Sequence, residues 1–477
     1  MLLVASGLTS PAIARVAVQP TLQQRVETIL RSAGPGPRYG FVVATADGRE
    51  LVAILPEQRF IPASNTKIFT TAAAFATLSG MDAPDMAGRT AVRIAQNGDV
   101  IVEGRGDPRL SSAATCTVDC LAELADAVAA KTRVVRDVIG DDTFFPDERW
   151  SPGMAWNNIP TRSGTAISAL TLDGNEFAMR VSPTAQGEAP GIAVLPYYTI
   201  DNQAVTVAEG TTELKLERLP GSMEARLSGT ILAGVPPQLI NLGIDDPAHY
   251  AAWRFRTMLE ARGVRVTGKV VARHRPLTAA DDPVKRGDAT AVREALAEPL
   301  ARLVPPPLAP SLVYLNKVSQ NVHSELLLRR LGTSSGSGSI ADGVMTIRAM
   351  LDRAGVRRAD YDLSDGSGMS TYNRVAPRGM VVLLRWIAGQ PWGQRWRATL
   401  PMGGVDGTLA RRFKGTALER RLFAKTGSLN ASYALSGYMI AKSGRTLTFS
   451  TFANDVPEGV RATIAIDAAL ELVALEK

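Results

Sequence analysis

The segment that most constrains this chain spans residues 61–70, in which a Ser-x-x-Lys motif leads into a run of small apolar residues. Residues 71–78 read Thr-Ala-Ala-Ala-Phe-Ala-Thr-Leu, and Pro62 and Ser64 are favourable residues at a helix start. Residues three apart share a helix face, so Ser64 Oγ and Lys67 Nζ can meet. A desolvated lysine loses its proton more easily and can act as a base for the serine. The segment therefore predicts a nucleophilic serine at the start of a helix.

Two further motifs follow in a fixed order. A Ser-Gln-Asn motif at 319–321 begins 252 residues after Lys67, and a Lys-Thr-Gly motif lies at 425–427. Alone, a Ser-x-x-Lys motif is usually a helix cap followed by a solvated charge, and Lys-Thr-Gly is usually a strand end. The three together form the signature set of penicillin-binding proteins and class A β-lactamases. This combination favours serine-based acyl transfer.

Composition excludes several other functions. The net charge of +7 suggests an affinity for anionic surroundings. The basic residues are dispersed and aromatic residues make up 6% of the chain, so nucleic-acid binding is not expected. The three histidines, at 249, 274 and 323, form no H-E-x-x-H frame. We therefore predict no metal site and no cofactor, and we expect His323 to be a structural or surface residue.

The N-terminus indicates export, and export in turn favours a disulfide. Residues 1–20 begin with the apolar stretch 1–8 and include Ala-Ile-Ala at 12–14, so they resemble a signal peptide whose basic start is missing or shortened. The alternative is a frayed apolar terminus. No later segment has 18 or more apolar residues, which leaves at most peripheral membrane contact. Cys116 and Cys120 are expected to form a small-loop disulfide, with a reduced pair as the alternative.

The chain reads as an α+β unit interrupted by an insertion. A helix after Thr21 and a hairpin around the Asp-Gly turn at 47–48 lead to the Ser64 helix. Residues 170–245 contain many short alternating runs and no convincing helix. The predicted divisions are a catalytic domain at 21–81 and 302–477, an inserted α/β domain at 82–169 and 246–301, and a nested β-rich domain at 170–245.

Within the C-terminal part, the pattern predicts a helix at 311–330 that carries the Ser-Gln-Asn motif near its middle. Further helices are predicted at 340–354 and 377–388. Three runs alternate like adjacent antiparallel strands, at 422–427, 433–440 and 446–453. A closing helix is predicted at 458–476.

With these motifs and the inserted region, the chain resembles the D-alanyl-D-alanine carboxypeptidase/endopeptidase family, the class C low-molecular-mass penicillin-binding proteins. The 252-residue separation is similar to that of this family, whose members insert two extra domains after the first motif. Further segments also resemble it, at 106–108, 316–321, 365–370 and 406–409. The resemblance implies a transpeptidase-like fold, in which helices flank an antiparallel sheet and two nested domains are inserted.

The resemblance also implies roles in acylation. Ser64 would attack the carbonyl of the penultimate D-alanine, with Lys67 as the base. Ser319 would relay a proton to the leaving amine, and Asn321 would orient Lys67 and the substrate amide. Acylation would release D-alanine or cleave a cross-link to diaminopimelate, and water would then hydrolyse the acyl-enzyme. Peptidoglycan stem peptides are the implied substrates, and β-lactams the implied covalent inhibitors.

The third motif is expected to hold the substrate carboxylate. Lys425 would supply positive potential, and Thr426 and Ser428 would offer hydroxyl groups. Gly427 would let the strand approach the substrate closely. The backbone N–H groups of Ser64 and Ser428 would form the oxyanion hole.

Three alternatives remain open from the sequence. A β-lactamase or an esterase could use the same Ser-x-x-Lys set, and a silent wall-binding protein could keep the fold without activity. Two departures from the family pattern affect specificity: Trp-Asn-Asn stands at 156–158, where relatives have Trp-Asn-Asp, and Thr371 replaces an arginine. No specificity residues are therefore transferred, and no oligomeric state is predicted.

Overall fold

The computed structural model describes residues 19–291, 297–334 and 336–477. The predicted signal segment therefore lies almost entirely outside the described residues. In chain order the α-helices are α1 (Leu22–Arg31), α2 (Thr66–Thr77), α3 (Leu121–Lys131), α4 (Pro247–Ala261), α5 (Pro283–Arg286), α6 (Leu308–Val318), α7 (Asn321–Gly332), α8 (Ile340–Arg353), α9 (Pro377–Ala388), α10 (Gly393–Arg397) and α11 (Ala462–Glu476).

The strands fall into one group near the two ends of the chain and another in its middle. They are β1 (Arg38–Ala44), β2 (Glu50–Ile54), β3 (Ala91–Ile94), β4 (Val100–Glu103), β5 (Val134–Val135), β6 (Val138–Pro146), β7 (Glu176–Ser182), β8 (Gly191–Val194), β9 (Thr199–Asn202), β10 (Val205–Val207), β11 (Glu213–Glu217), β12 (Glu224–Leu232), β13 (Gln238–Gly243), β14 (Arg265–Val266), β15 (Val270–Arg275), β16 (Ala301–Arg302), β17 (Tyr361–Asp362), β18 (Arg374–Val375), β19 (Leu422–Leu429), β20 (Ser432–Ile440) and β21 (Thr446–Asn454).

The central sheet joins the two ends of the chain. Its strands run in the order β19-β20-β21-β1-β2, and every neighbouring pair is antiparallel. Helices α1 and α11 pack their apolar residues on one face, through Leu30 and Leu470 among others. On the other face, α2, α7, α8 and α9 form a second core that includes Ile68 and Leu328. The predicted α+β architecture is confirmed, and β19 is left at an edge of the sheet.

The middle of the chain forms its own sheets. A five-stranded mixed sheet, β15-β6-β4-β3-β16, packs against α3 and α4 around Val102 and Phe255. Strands β7 to β13 form two smaller sheets with a separate apolar cluster around Leu227. The division of the chain into three domains stays a prediction, and the sheet order is compatible with it.

The helix predicted at 311–330 is wrong in one respect that matters for the site. The chain leaves α6 at Ser319, which adopts a left-handed conformation (φ 63°, ψ 41°), and α7 starts at Asn321. Gln320 caps α7, since its side-chain oxygen accepts a hydrogen bond from Val322 N at 2.7 Å. The break places both motif residues at helix ends rather than along one continuous helix.

Smaller differences occur elsewhere, and the closing helix begins at Ala462 rather than 458. Cys116 and Cys120 form a disulfide. Among the described residues, no helix is both long and apolar enough to cross a membrane.

Candidate active site

Ser64 lies in a short 3-10 turn, Ala63–Asn65, that leads directly into α2. Lys67 is one turn further along, and its Nζ lies 2.9 Å from Ser64 Oγ. The turn is strained, because Ala63 has a φ of +46°, which L-residues adopt at a cost of order 1–3 kcal/mol. The turn and the first residues of α2 therefore hold the serine in a fixed position beside the lysine.

The Lys67 ammonium group is enclosed by acceptors. Besides Ser64 Oγ, its Nζ donates to Asn321 Oδ1 at 2.7 Å and to Ser367 O at 2.6 Å, so three contacts match its three donors. Its side chain is fully buried. Burial lowers the pKa of Lys67 to about 7, against the opposing effect of two carboxyl groups, Asp365 and Glu325. Near neutral pH, a large fraction of this lysine is a free amine that can accept a proton from Ser64.

The second motif contributes from the break between α6 and α7. Ser319 Oγ accepts a hydrogen bond from Lys425 Nζ at 2.8 Å, so it lies beside the third motif. Asn321 has two partners: its Oδ1 accepts from Lys67, and its Nδ2 donates to Ser163 O at 2.8 Å. Because Ser163 belongs to the middle of the chain, the predicted insertion helps to fix the side chain of Asn321.

The third motif lies on β19, whose outer side pairs with no strand along the described sheet. Burial and the nearby Lys67 lower the pKa of Lys425 well below its usual value. Asn65 Nδ2 donates to Lys425 O at 2.8 Å and so fastens the strand to the helix start. Thr426 Oγ1 donates to Thr408 Oγ1 at 2.8 Å.

Glycine is required at position 427 by the close approach of β19 to the backbone of Pro62 and Ser64. A Cβ there would lie 2.6 Å from Pro62 O and 3.1 Å from Ser64 N. Ser428 also lies on β19, where it pairs with Tyr433 of the neighbouring strand β20. The backbone of Ser64 and β19 therefore lies close together, the arrangement that an oxyanion hole requires.

Sequence reasoning missed a layer of residues behind this site. Glu325 and Asp365 are buried carboxyl groups that hold the 365–370 loop, and Ser367 of that loop contacts Lys67. The sequence at 365–370 resembles the family, but this resemblance implies no role for the loop. Glu325 gave no signal, because a glutamate within a helix pattern is usually solvent-exposed.

The middle of the chain also contacts this loop. Ser370 Oγ donates to Pro152 O at 2.5 Å, and Thr371 N donates to Gly153 O at 3.0 Å. Trp156, in the same stretch as Gly153, is 67% exposed. This stretch therefore borders the site and leaves a large aromatic side chain available to solvent.

His323 takes no part in the cluster. It is buried and hydrogen-bonded to Ser311 Oγ at 2.9 Å, and burial lowers its pKa to about 4. His323 is thus a structural histidine and not a surface residue, which were the two possibilities that the sequence left. In the part of the chain that the structure describes, no group of His, Cys, Asp or Glu is arranged to hold a metal ion.

Comparisons with known proteins agree with this geometry. Residues 22–474 match the D-Ala-D-Ala carboxypeptidase 3 (S13) family. A D-alanyl-D-alanine carboxypeptidase of Actinomadura sp. (strain R39) is 34% identical over 96% of this chain and 86% of its own length.

Solved structures carry the same fold. Penicillin binding protein 4 (DacB) of Haemophilus influenzae has a TM-score of 0.76 at 22% identity, covering 93% of this chain and 98% of its own. The same protein complexed with a novel β-lactam has a TM-score of 0.72 at 21% identity, covering 94% and 98%. The expected penicillin-binding-protein fold is confirmed. The chain is an enzyme that belongs to the D-Ala-D-Ala carboxypeptidase 3 (S13) family of serine peptidases.

Proposed function

We propose that this enzyme hydrolyses peptidoglycan stem peptides through an acyl-enzyme formed at Ser64. The observation that carries the proposal is the 2.9 Å contact between Ser64 Oγ and the buried amine of Lys67. Lys67 takes the hydroxyl proton as Oγ attacks the carbonyl of the penultimate D-alanine. The N–H groups of Ser64 and Ser428 stabilise the resulting oxyanion. Asn321 keeps Lys67 in place and donates to the substrate amide.

Collapse of the tetrahedral intermediate requires a proton on the leaving amine. Ser319 relays it: its hydroxyl hydrogen passes to the amine while its oxygen takes a proton from Lys425 Nζ, which donates to it. The proton that Lys67 gained from Ser64 balances the one that Lys425 gives up. Lys425 also attracts the terminal carboxylate, and Thr426 and Ser428 hydrogen-bond to it. The incoming negative charge favours the protonated form of Lys425, which burial disfavours in the empty site. Substrate binding therefore charges the group that recognises it.

Loss of the amine releases D-alanine or, when the leaving amine belongs to diaminopimelate, opens a cross-link. Water then hydrolyses the ester, frees the shortened stem peptide and regenerates Ser64. The carboxypeptidase reaction is supported by the name of the Actinomadura relative. Binding of β-lactams is supported by the Haemophilus complex, and attack by Ser64 on the β-lactam carbonyl would make that binding covalent. Action outside the cytoplasm, in the periplasm or an equivalent compartment, is supported by the Cys116–Cys120 disulfide.

The test of the nucleophile is intact-mass analysis after incubation with benzylpenicillin. We expect one stable adduct on the unmodified enzyme and none on Ser64→Ala, with Ser443→Ala, an exposed serine, as the matched control. Rapid loss of penicillin without an adduct would instead indicate a β-lactamase. Neither adduct nor turnover would indicate a silent binder and overturn the proposal.

The two peptidase activities need separate substrates. A monomeric pentapeptide stem reports release of D-alanine, and a cross-linked dimer reports endopeptidase cleavage. We expect Ser64→Ala to abolish both, because both pass through one ester. A cleavage that survives this substitution would not belong to the proposed site.

A further inference from the structure

Glu325 is a buried carboxyl group with no place in the mechanism above. It lies on α7, one turn after Asn321, and is 6% exposed. Burying a carboxyl group is costly unless hydrogen bonds or charges compensate for the lost water. Its partners therefore indicate what it does.

The hydrogen bonds of Glu325 lead directly to Lys67. Its Oε1 accepts from Gly366 N at 3.0 Å and from Ser367 N at 2.7 Å. The carbonyl oxygen of the same Ser367 accepts from Lys67 Nζ at 2.6 Å. One residue thus separates the carboxyl group from the amine, with its N–H on one side and its C=O on the other.

The small space in front of this arrangement supports the connection. Asn321, Glu325 and Ser367 line a common cavity of about 10 Å³, enough for roughly one water molecule. Glu325 therefore shares this cavity with Asn321 and Ser367, both of which accept a hydrogen bond from Lys67.

We propose that Glu325 is a positioning residue, which holds the Ser367 carbonyl against Lys67 and places a carboxyl group one residue away from its amine. This inference rests on the proposed function, in which Lys67 is the base. The 365–370 loop is the physical link, because two of its N–H groups bind Glu325 and one of its carbonyls binds Lys67.

The charges around Glu325 make its own state sensitive to pH. Burial and the neighbouring Asp365 raise the pKa of Glu325 to about 7, close to that of Lys67. Arg329 opposes this effect, but it is already paired with Glu148 at 2.7 Å. The charged groups that face this cluster come from every neighbouring element: Lys67 on α2, Arg329 on α7, Asp365 in the loop, Arg149 and Glu148 from the middle of the chain, and Lys425 on β19 beyond Lys67.

It follows that two groups titrate together where the acylation rate falls at low pH, the acid limb of the pH–rate profile. With Glu325 ionised, Lys67 holds its proton to a higher pH, and with Glu325 neutral it releases the proton at a lower pH. With both groups present, the acid limb should extend over a broad pH range. Removal of the carboxyl charge should leave only the titration of Lys67, so the limb should become narrower and move to lower pH. A glutamate that only supported the loop would leave the position of this limb unchanged.

The experiment measures the rate of acylation by benzylpenicillin between pH 5 and 9 for the unmodified enzyme and for Glu325→Gln. Glutamine keeps an acceptor oxygen for the loop but removes the charge. We expect the acid limb to move down by at least about one pH unit, because two unit charges within about 10 Å of each other interact by that much at an effective dielectric of about 20. Glu325→Ala, which removes acceptor and charge, should be slower than Glu325→Gln at every pH.

Ser324→Ala is the matched control. Ser324 Oγ donates to Gly366 O at 2.7 Å, so the change loosens the same loop without altering a charge, and the limb should stay in place. If Glu325→Gln does not fold, Glu325→Met removes the charge with a side chain of similar length. An unmoved limb in a folded charge-free variant would overturn this inference alone, whereas failure of the unmodified enzyme to form an adduct would overturn the proposed function.

Discussion

Replacing Gly427 by alanine is the sharpest test of how the strand and the nucleophile fit together. The added methyl carbon would lie 2.6 Å from Pro62 O, about 0.7 Å short of the roughly 3.3 Å at which carbon and oxygen normally meet. It would also lie 3.1 Å from Ser64 N. Both neighbours are backbone atoms, so no flexible side chain can move aside. Relief requires β19 to move away from the start of α2.

That movement acts on the oxyanion hole, since one proposed donor is on each side of the gap. Loss of one such donor costs on the order of 100- to 1,000-fold in kcat, or about 2.7–4 kcal/mol of transition-state stabilisation. The overpacked contact should separately cost about 1–3 kcal/mol of folding stability. The two effects can be distinguished, because the first persists at temperatures where the variant is still folded.

The assay compares acylation by benzylpenicillin and release of D-alanine for Gly427→Ala with thermal unfolding of the same protein. Gly191→Ala is the matched control, because its nearest non-neighbouring atom, Ser182 O, lies 3.9 Å from the added carbon. We expect the control to react at the unmodified rate. Unmodified rates in a normally folded Gly427→Ala protein would refute the close contact between β19 and the nucleophile.

Three further predictions follow from the same structure. Because burial lowers the pKa of Lys67 to about 7, the acylation rate should increase as the pH rises through about 7. The substitution Lys67→Arg should abolish acylation, since a guanidinium group does not deprotonate. Hydrogen bonds to two aspartates raise the pKa of His274 from 6.5 to about 10. The stabilisation that protonated His274 provides is therefore complete below about pH 6.5 and disappears as the pH rises through 10. In urea unfolding, His274→Gln should lose less stability over this pH range than the unmodified protein does. The Cys116–Cys120 disulfide closes a loop with a sequence separation of 4, so Cys116→Ser/Cys120→Ser should lose about 2 kcal/mol in unfolding measurements and keep its acylation rate.

The motifs predicted the positions that meet in the site because their chemistry is local. The Ser-x-x-Lys spacing determines a shared helix face, and the observed 2.9 Å contact between Ser64 and Lys67 is what that face allows. The three C-terminal strands were also predictable, since each alternates over many residues and lies between clear turns. Helix α4 begins at Pro247, and proline favours the first position of a helix.

The break at Ser319 could not be predicted from the same signals. Apolar residues continue at helical spacing from α6 into α7, and neither glycine nor proline interrupts them. A serine in a left-handed conformation is unfavourable by itself. Tertiary contacts outweigh this cost here, among them the hydrogen bond from Lys425 Nζ to Ser319 Oγ at 2.8 Å. The bend therefore arises from a partner 106 residues away, which no local window contains.

The predicted insertion contributes to the candidate active site through Ser163. Asn321 must present its oxygen to Lys67, and an amide side chain can turn either of its ends toward a neighbour. The carbonyl of Ser163 accepts only from the nitrogen end, so this contact from the middle of the chain selects the orientation in which oxygen faces the lysine. A backbone carbonyl leaves no signature in a sequence, because every residue has one. The residue types that do the chemistry are thus visible in the motifs, whereas the groups that orient them are contributed by the fold.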